Sequence, residues 1–107
     1  MITKELLSEV LNLNIVDYYQ ELDYIYYQYY IEGTCYIKEE DINIYQLVFK
    51  YKEWAFNKGY HIFVYKVKDY LYEFIITDNN NILMLSYEIP TEYEAIFKAC
   101  KWLKKYK

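Results

Sequence analysis

The chain has 107 residues, which suits one domain and leaves no room for a second. Its 12 cationic side chains are all Lys, its acidic side chains number 16, and the formal net charge is -4. Hydrophobic content of 55% excludes a disordered or linker-type chain. An acidic protein without Arg also lacks the basic footprint and the guanidinium fork of a general or sequence-specific nucleic-acid binder.

Taken in chain order, Thr3–Asn12 reads as a first helix, with Thr3 as its cap, Glu5 in the first turn and Leu6, Leu7, Val10 and Leu11 as the buried stripe. Asn14–Asp23 is ambiguous. Tyr24–Ile31 is rich in β-formers, Glu32-Gly33 offers a turn, and Thr34–Lys38 completes an expected hairpin. Alternation puts Ile25, Tyr27, Tyr29 and Ile31 on one face and Tyr24, Tyr26, Gln28 and Tyr30 on the other. A helix over 17–31 stopped by Gly33 is the rival, because Ile15, Tyr18, Leu22, Ile25 and Tyr29 also fit a helical period.

A second helix starts at the Asn43 cap, with Gln46 completing a capping box and Ile42 and Leu47 placed for a hydrophobic staple. Ile44, Leu47, Val48, Tyr51 and Ala55 form its buried stripe, and Gly59 stops it. Tyr60–Val67 and Tyr70–Thr77 then read as an antiparallel hairpin. Asp78-Asn79-Asn80-Asn81 is a turn, and Ile82–Glu88 is the next strand, with Leu83, Leu85 and Tyr87 on one face. The last helix opens at Pro90-Thr91, where Thr91 and Glu94 make a second capping box. Ile96, Ala99, Cys100 and Leu103 are its stripe, and Lys crowd its C-terminal end, where cations are favoured. The expected fold is an α+β single domain over 1–107, an antiparallel sheet of hairpins with about three helices packed on it, in the order α-ββ-α-βββ-α.

The longest stretch free of Lys, Asp and Glu is Asn79–Tyr87, far below the about 20 apolar residues of a spanning helix. The N-terminus has no apolar core of the signal-peptide kind, so the expected location is the cytoplasm, away from membranes. Chemistry is sparse. His61 is the sole His, and a Cys–His or Ser–His pairing with Cys35, Cys100, Ser8 or Ser86 has no supporting motif. Cys35 and Cys100 read as two buried small hydrophobes. Glu39-Glu40-Asp41 reads as a solvated loop ahead of the second helix, and oxygen ligation of a divalent cation is the sharper alternative. Two glycines build no phosphate cradle. The expectation is no catalytic residue, no cofactor and no metal.

What stands out is Tyr. The chain has 17, and Tyr18, Tyr19, Tyr24, Tyr26, Tyr27, Tyr29, Tyr30 and Tyr36 fall within positions 18–36. Ile, Lys, Asn and Tyr are all abundant while Arg is missing, which is what an AT-rich genome produces, so core packing plus codon bias is one account of the excess. The other is a docking face. Only one side of the first strand can be core, and residues 1–49 carry 2 Lys against 9 acids, a local charge of -7. Phenol rings give large contact area at small entropic cost, and acidic surroundings suit a basic protein partner. The residues expected to carry that contact are Tyr24, Tyr26, Tyr30, Glu32 and Asp23.

Residues Asn43 to Lys105 also carry a resemblance. A helix ending in Glu53-Trp54-Ala55-Phe56-Asn57-Lys58-Gly59-Tyr60, a hairpin sheet, and a closing helix entered through Thr91-Glu92-Tyr93-Glu94-Ala95 are similar to small uncharacterised α+β proteins of phages and bacterial mobile elements. The resemblance implies an intracellular protein without assigned catalytic residues. The expected function is therefore non-enzymatic: binding and modulating a basic host protein, such as a defence nuclease, through the acidic Tyr-rich surface. An immunity or regulatory protein neutralising a cognate toxin is the alternative, and a small metal-dependent enzyme is the third reading. A homodimer formed through the same exposed strand is a further expectation.

Overall fold

The computed structural model describes residues 2–107, with Ser86 and Tyr87 described by their backbone alone. The order is α1 (Lys4–Leu11), β1 (Asn14–Glu21), β2 (Tyr24–Tyr30), β3 (Ile37–Asn43), α2 (Ile44–Asn57), β4 (His61–Lys68), β5 (Leu71–Thr77), β6 (Ile82–Ile89) and α3 (Glu92–Tyr106). The strands form two antiparallel three-stranded meanders, β1-β2-β3 and β4-β5-β6. The class is α+β, as the sequence indicates. Two sheets stand where one was expected, and the first has three strands in place of two.

The added strand is the ambiguous segment. Residues 17–31 do not form a helix; Asn14–Glu21 is β1, paired in register with β2. A bulge between Ile15 and Asp17 explains the ambiguity. It lets Ile15 face Tyr29 and Tyr18 face Tyr27, so two residues three apart lie on the same side and imitate a helical spacing. The second expected strand is also displaced. Thr34–Tyr36 is a loop, with the Thr34 hydroxyl bonded to the Ile31 carbonyl at 2.9 Å and accepting from the Tyr36 N–H at 3.2 Å. The strand begins at Ile37 and runs through Glu39-Glu40-Asp41, which is therefore not a loop. Cys35 sits exposed in the β2–β3 loop, contrary to the expected burial, while Cys100 is buried in α3.

Local chemistry sets the helix ends. The Thr3 hydroxyl accepts from Leu6 N–H at 3.3 Å, and Thr91 does the same for Glu94 at 3.3 Å. Asn43 accepts from Tyr45 N–H at 2.9 Å, and the Asp23 carbonyl accepts from Ile44 N–H at 2.7 Å, so the β1–β2 turn helps hold the start of α2. At its other end Tyr60 N–H bonds the Ala55 carbonyl at 3.0 Å and Gly59 N–H the Phe56 carbonyl at 2.9 Å, with Gly59 at φ 92. That pair of bonds is the Schellman arrangement, which requires a left-handed residue where glycine stands. In the second sheet, the Asp78 carboxylate accepts from Asn80 and Asn81 N–H and closes the β5–β6 turn. Register irregularities on either side of the Phe74–Ile76 pairs interrupt alternation in β6, so that Leu83 packs on the core while Leu85, opposite Ile75, is exposed. The expectation that they share a face fails there, and the Tyr87 side chain lies outside the described residues.

One hydrophobic cluster spans both sheets and all three helices. Tyr51 of α2 and Phe97 of α3 meet edge to face at 4.7 Å at its centre. Burial pushes the Cys100 thiol up to about 12, and its Sγ reaches the Tyr51 carbonyl at 3.5 Å. The Tyr51 hydroxyl is buried without a hydrogen-bond partner among the described residues. A hydroxyl desolvated in this way costs about 1–3 kcal/mol. Tyr51→Phe keeps the ring and removes the cost, so thermal denaturation should give a Tm several degrees above wild type; a fall would mean that the hydroxyl is satisfied.

Glu9 ties the three helices together, with Lys104 at 2.6 Å and Lys58 at 3.4 Å. The Lys104 ammonium, ahead of the smaller contribution from Lys58, holds its carboxyl below the ordinary value of 4.5; the Trp54 indole N–H lies beside it without closing a bond. A carboxyl lowered on folding stabilises the native state above its unfolded titration point, and that contribution is lost as the pH falls through the folded one. Glu9→Gln should cost about 0.5–1 kcal/mol at neutral pH, and the gap from wild type should close in acid. A gap that persists at pH values where the Glu9 carboxyl is protonated in the folded and the unfolded state alike would assign the effect to packing.

Candidate functional site

The first sheet packs one face on α1 and α2 and leaves the other open. Pairing assigns the faces. Ile25, Tyr27 and Tyr29 of the central strand β2 point inward, and Tyr24, Tyr26, Gln28 and Tyr30 point outward. Around the outward set, β1 contributes Asp17, Tyr19 and Glu21 and β3 contributes Glu39 and Asp41. The outer face is thus a row of phenols bounded on both flanking strands by exposed carboxylates, and no Lys lies at its register positions.

The rings are ordered by one another. Tyr19 stacks on its cross-strand partner Tyr26 at 5.0 Å and 11°, and Tyr24 lies 6.5 Å from Tyr26. Gln28 donates to Glu39 at 3.4 Å. Tyr24 and Tyr30 remain 44% and 40% exposed, which is high for aromatic side chains in the middle strand of a sheet. Partial burial, then the carboxylates of Glu39 and Glu21, raise the Tyr19 phenol above its ordinary value.

The inner face is built differently. Lys38 pairs with Glu40 at 3.2 Å, and Tyr27 donates to Glu40 at 3.3 Å. Burial, then Glu40, pushes the Tyr27 phenol up to about 12. Alternation along β3 therefore divides the acidic run: Glu39 and Asp41 serve the outer face and Glu40 is used internally.

Of the residues expected to make contact, Tyr24, Tyr26 and Tyr30 share the outer face. Asp23 is exposed in the β1–β2 turn at one end and Glu32 in the β2–β3 loop at the other. Tyr30 and Glu32 also line a cleft of about 1060 Å³ between that loop and the α1–β1 junction. Missing from the sequence reading are Tyr19 as a partner ring, Asp41 as a flanking charge, and Leu22. Leu22 is 87% exposed at the hairpin tip with φ 53. A left-handed conformation costs an L-residue about 1–2 kcal/mol, and strained exposed residues concentrate at working surfaces. Recognising β1 as a strand would have revealed Tyr19 and Leu22, and extending β3 through the acidic run would have revealed Asp41.

Elsewhere the reactive groups stay apart. His61 lies between the Phe56 ring of α2 and the Phe63 ring of the second sheet, Cys100 is in the core, and Cys35 is in the β2–β3 loop of the first sheet. The Ser8 hydroxyl accepts from Ile15 N–H at 3.4 Å, a structural bond, and the Ser86 side chain lies outside the described residues. Among the described residues, no group of three or more His, Cys, Asp or Glu side chains converges, and no helix is long and apolar enough to cross a membrane. Comparison with protein-family models, curated proteins and solved structures finds no match for this chain.

Proposed function

We propose that this chain acts by binding, docking a basic protein onto the outer face of its first sheet, and that it does no chemistry itself. The observation that carries the reading is the juxtaposition on one face: Tyr19, Tyr24 and Tyr26 in contact range and Tyr30 further along the same strand as Tyr24 and Tyr26, with Asp17, Glu21, Glu39 and Asp41 around them. Tyr supplies rigid contact area of the hot-spot kind, and the carboxylates steer a cationic surface toward it. The same charge repels nucleic-acid phosphate. Leu22 at the hairpin tip adds an apolar anchor beside Tyr24. In the setting implied by the resemblance to phage and mobile-element proteins, the partner is a cationic enzyme of the host inside the cell, and binding modulates it. A cognate basic toxin would be met by the same surface.

The test uses a defined probe. A Lys/Arg-rich peptide titrated into the labelled chain should shift amide resonances in β1, β2 and β3, saturably and more weakly as salt rises. Duplex DNA should produce no such shifts. Shifts confined to the second sheet, or a response to DNA alone, would overturn the assignment.

A further inference from the structure

The second sheet and α2 carry a surface of another kind. The α2 helix buries Ile44, Leu47, Tyr51 and Ala55, yet Tyr45, Phe49 and Phe56 make a second apolar stripe on its solvent side. That stripe borders a groove beside β4, lined by Phe49, Phe56, Tyr60 and Phe63. Phe56, His61 and Phe63 form an aromatic ladder along it, with ring centroids 5.5 and 6.3 Å apart. β4 is an edge strand, hydrogen-bonded among the described residues to β5 alone, so its outer backbone groups are left for another strand beside the groove.

We infer that a second copy of this chain docks here. β4 pairs antiparallel with its own symmetry mate about a two-fold axis, joining the two β4-β5-β6 sheets into one of six strands. Area and charge both select this occupant. Tyr45, Phe49, Phe56, Phe63 and Tyr65 are each between 48% and 66% exposed, so the rings alone offer roughly 600 Å². A standard interface takes about 800 Å² from each partner, and the strand edge with the stems of Lys50 and Lys52 supplies the remainder. The charged side chains at the surface are Lys50, Lys52 and Glu53, with Lys66 of β4 ion-paired to Asp69 at 3.1 Å, so both signs are present and the face does not repel its own copy. The outer face of the first sheet, with four carboxylates and no Lys, does. The homodimer therefore forms through β4 and leaves the Tyr face free. The bulge between Lys66 and Lys68 ends the pairing, confining it to His61–Lys66.

Sedimentation of the full chain over a concentration series tests this. The mass should rise to twice 13.3 kDa and stop there, and amide exchange along His61–Lys66 should slow as the dimer fills. Phe49→Glu with Phe63→Glu should hold the mass at one chain with unchanged circular dichroism. Should that pair disturb folding, Phe49→Glu alone, on an exposed helix position, gives the same readout. A chain that stays monomeric at all concentrations, open-ended polymers, or a dimer that survives Phe49→Glu but is broken by Tyr26→Ser would each overturn the inference.

Discussion

Phe97→Ala should remove a large share of the native stability. Phe97 has no exposed surface, packs edge to face on Tyr51 at 4.7 Å, and meets Tyr93 at 6.2 Å. Truncating a buried Phe costs about 3–5 kcal/mol, part transfer and part residual cavity. A domain of this size holds about 5–15 kcal/mol in total, so the loss lowers Tm by about 15–30 °C. The cavity would not close readily. Tyr51 is held from the other side by Cys100 on its carbonyl, and α2 and α3 are both fixed by caps at their N-termini. Phe56→Ala is the control, since it deletes the same atoms from a ring that is mostly exposed, and in dilute solution it should stay within about 0.5 kcal/mol of wild type. Equal effects from the two variants in urea titration would mean that the core is not centred where the structure puts it.

That core was readable in advance wherever one local device fixed an element. Asn43, Thr91 and Gly59 each mark a helix boundary through a side-chain acceptor or a left-handed backbone, effects that act within a turn and need no knowledge of the rest of the fold. The stripes Ile44–Leu47–Tyr51–Ala55 and Ile96–Ala99–Cys100–Leu103 follow from the helical period alone. Phe97 escaped because a helix packed between another helix and a sheet buries more than a single stripe. β1 escaped for a different reason. Its bulge at Ile15–Asp17 shifts the inward set by one residue, so that strict alternation breaks and a helical spacing fits as well. β3 was hidden beyond Lys38 by composition, because Glu39-Glu40-Asp41 reads as solvated chain until the pairing partners are known. Opposite Tyr29, Gln28, Tyr27 and Tyr26, those charges gain cross-strand hydrogen bonds and an ion pair that isolated propensity does not count. The Tyr face was therefore half legible: β2 alternation put Tyr24, Tyr26 and Tyr30 together, but the strands that ring them with carboxylates were visible only through long-range pairing.

The pairing also separates what the rings contribute from what the charges contribute, and two sets of substitutions should divide along that line. Tyr24→Ser, Tyr26→Ser and Tyr30→Ser together should abolish detectable capture of the Lys/Arg-rich probe while leaving a folded chain, since none of the three is fully buried. Interface Tyr truncations cost about 2 kcal/mol each at hot spots, so losing three exceeds a thousandfold in affinity by the usual conversion of about 1.4 kcal/mol per decade. Neutralising Asp17, Glu21, Glu39 and Asp41 to their amides keeps shape and stacking. It should instead slow association by about tenfold to a thousandfold and flatten the salt dependence, with dissociation nearly unchanged, because steering acts before contact. Stopped-flow association rates at two ionic strengths read the difference. If the amide variant binds as fast as wild type, the carboxylates do not steer. If the Ser variant unfolds, the rings serve as core, and the outer face is a wall of the structure in place of a surface for a partner.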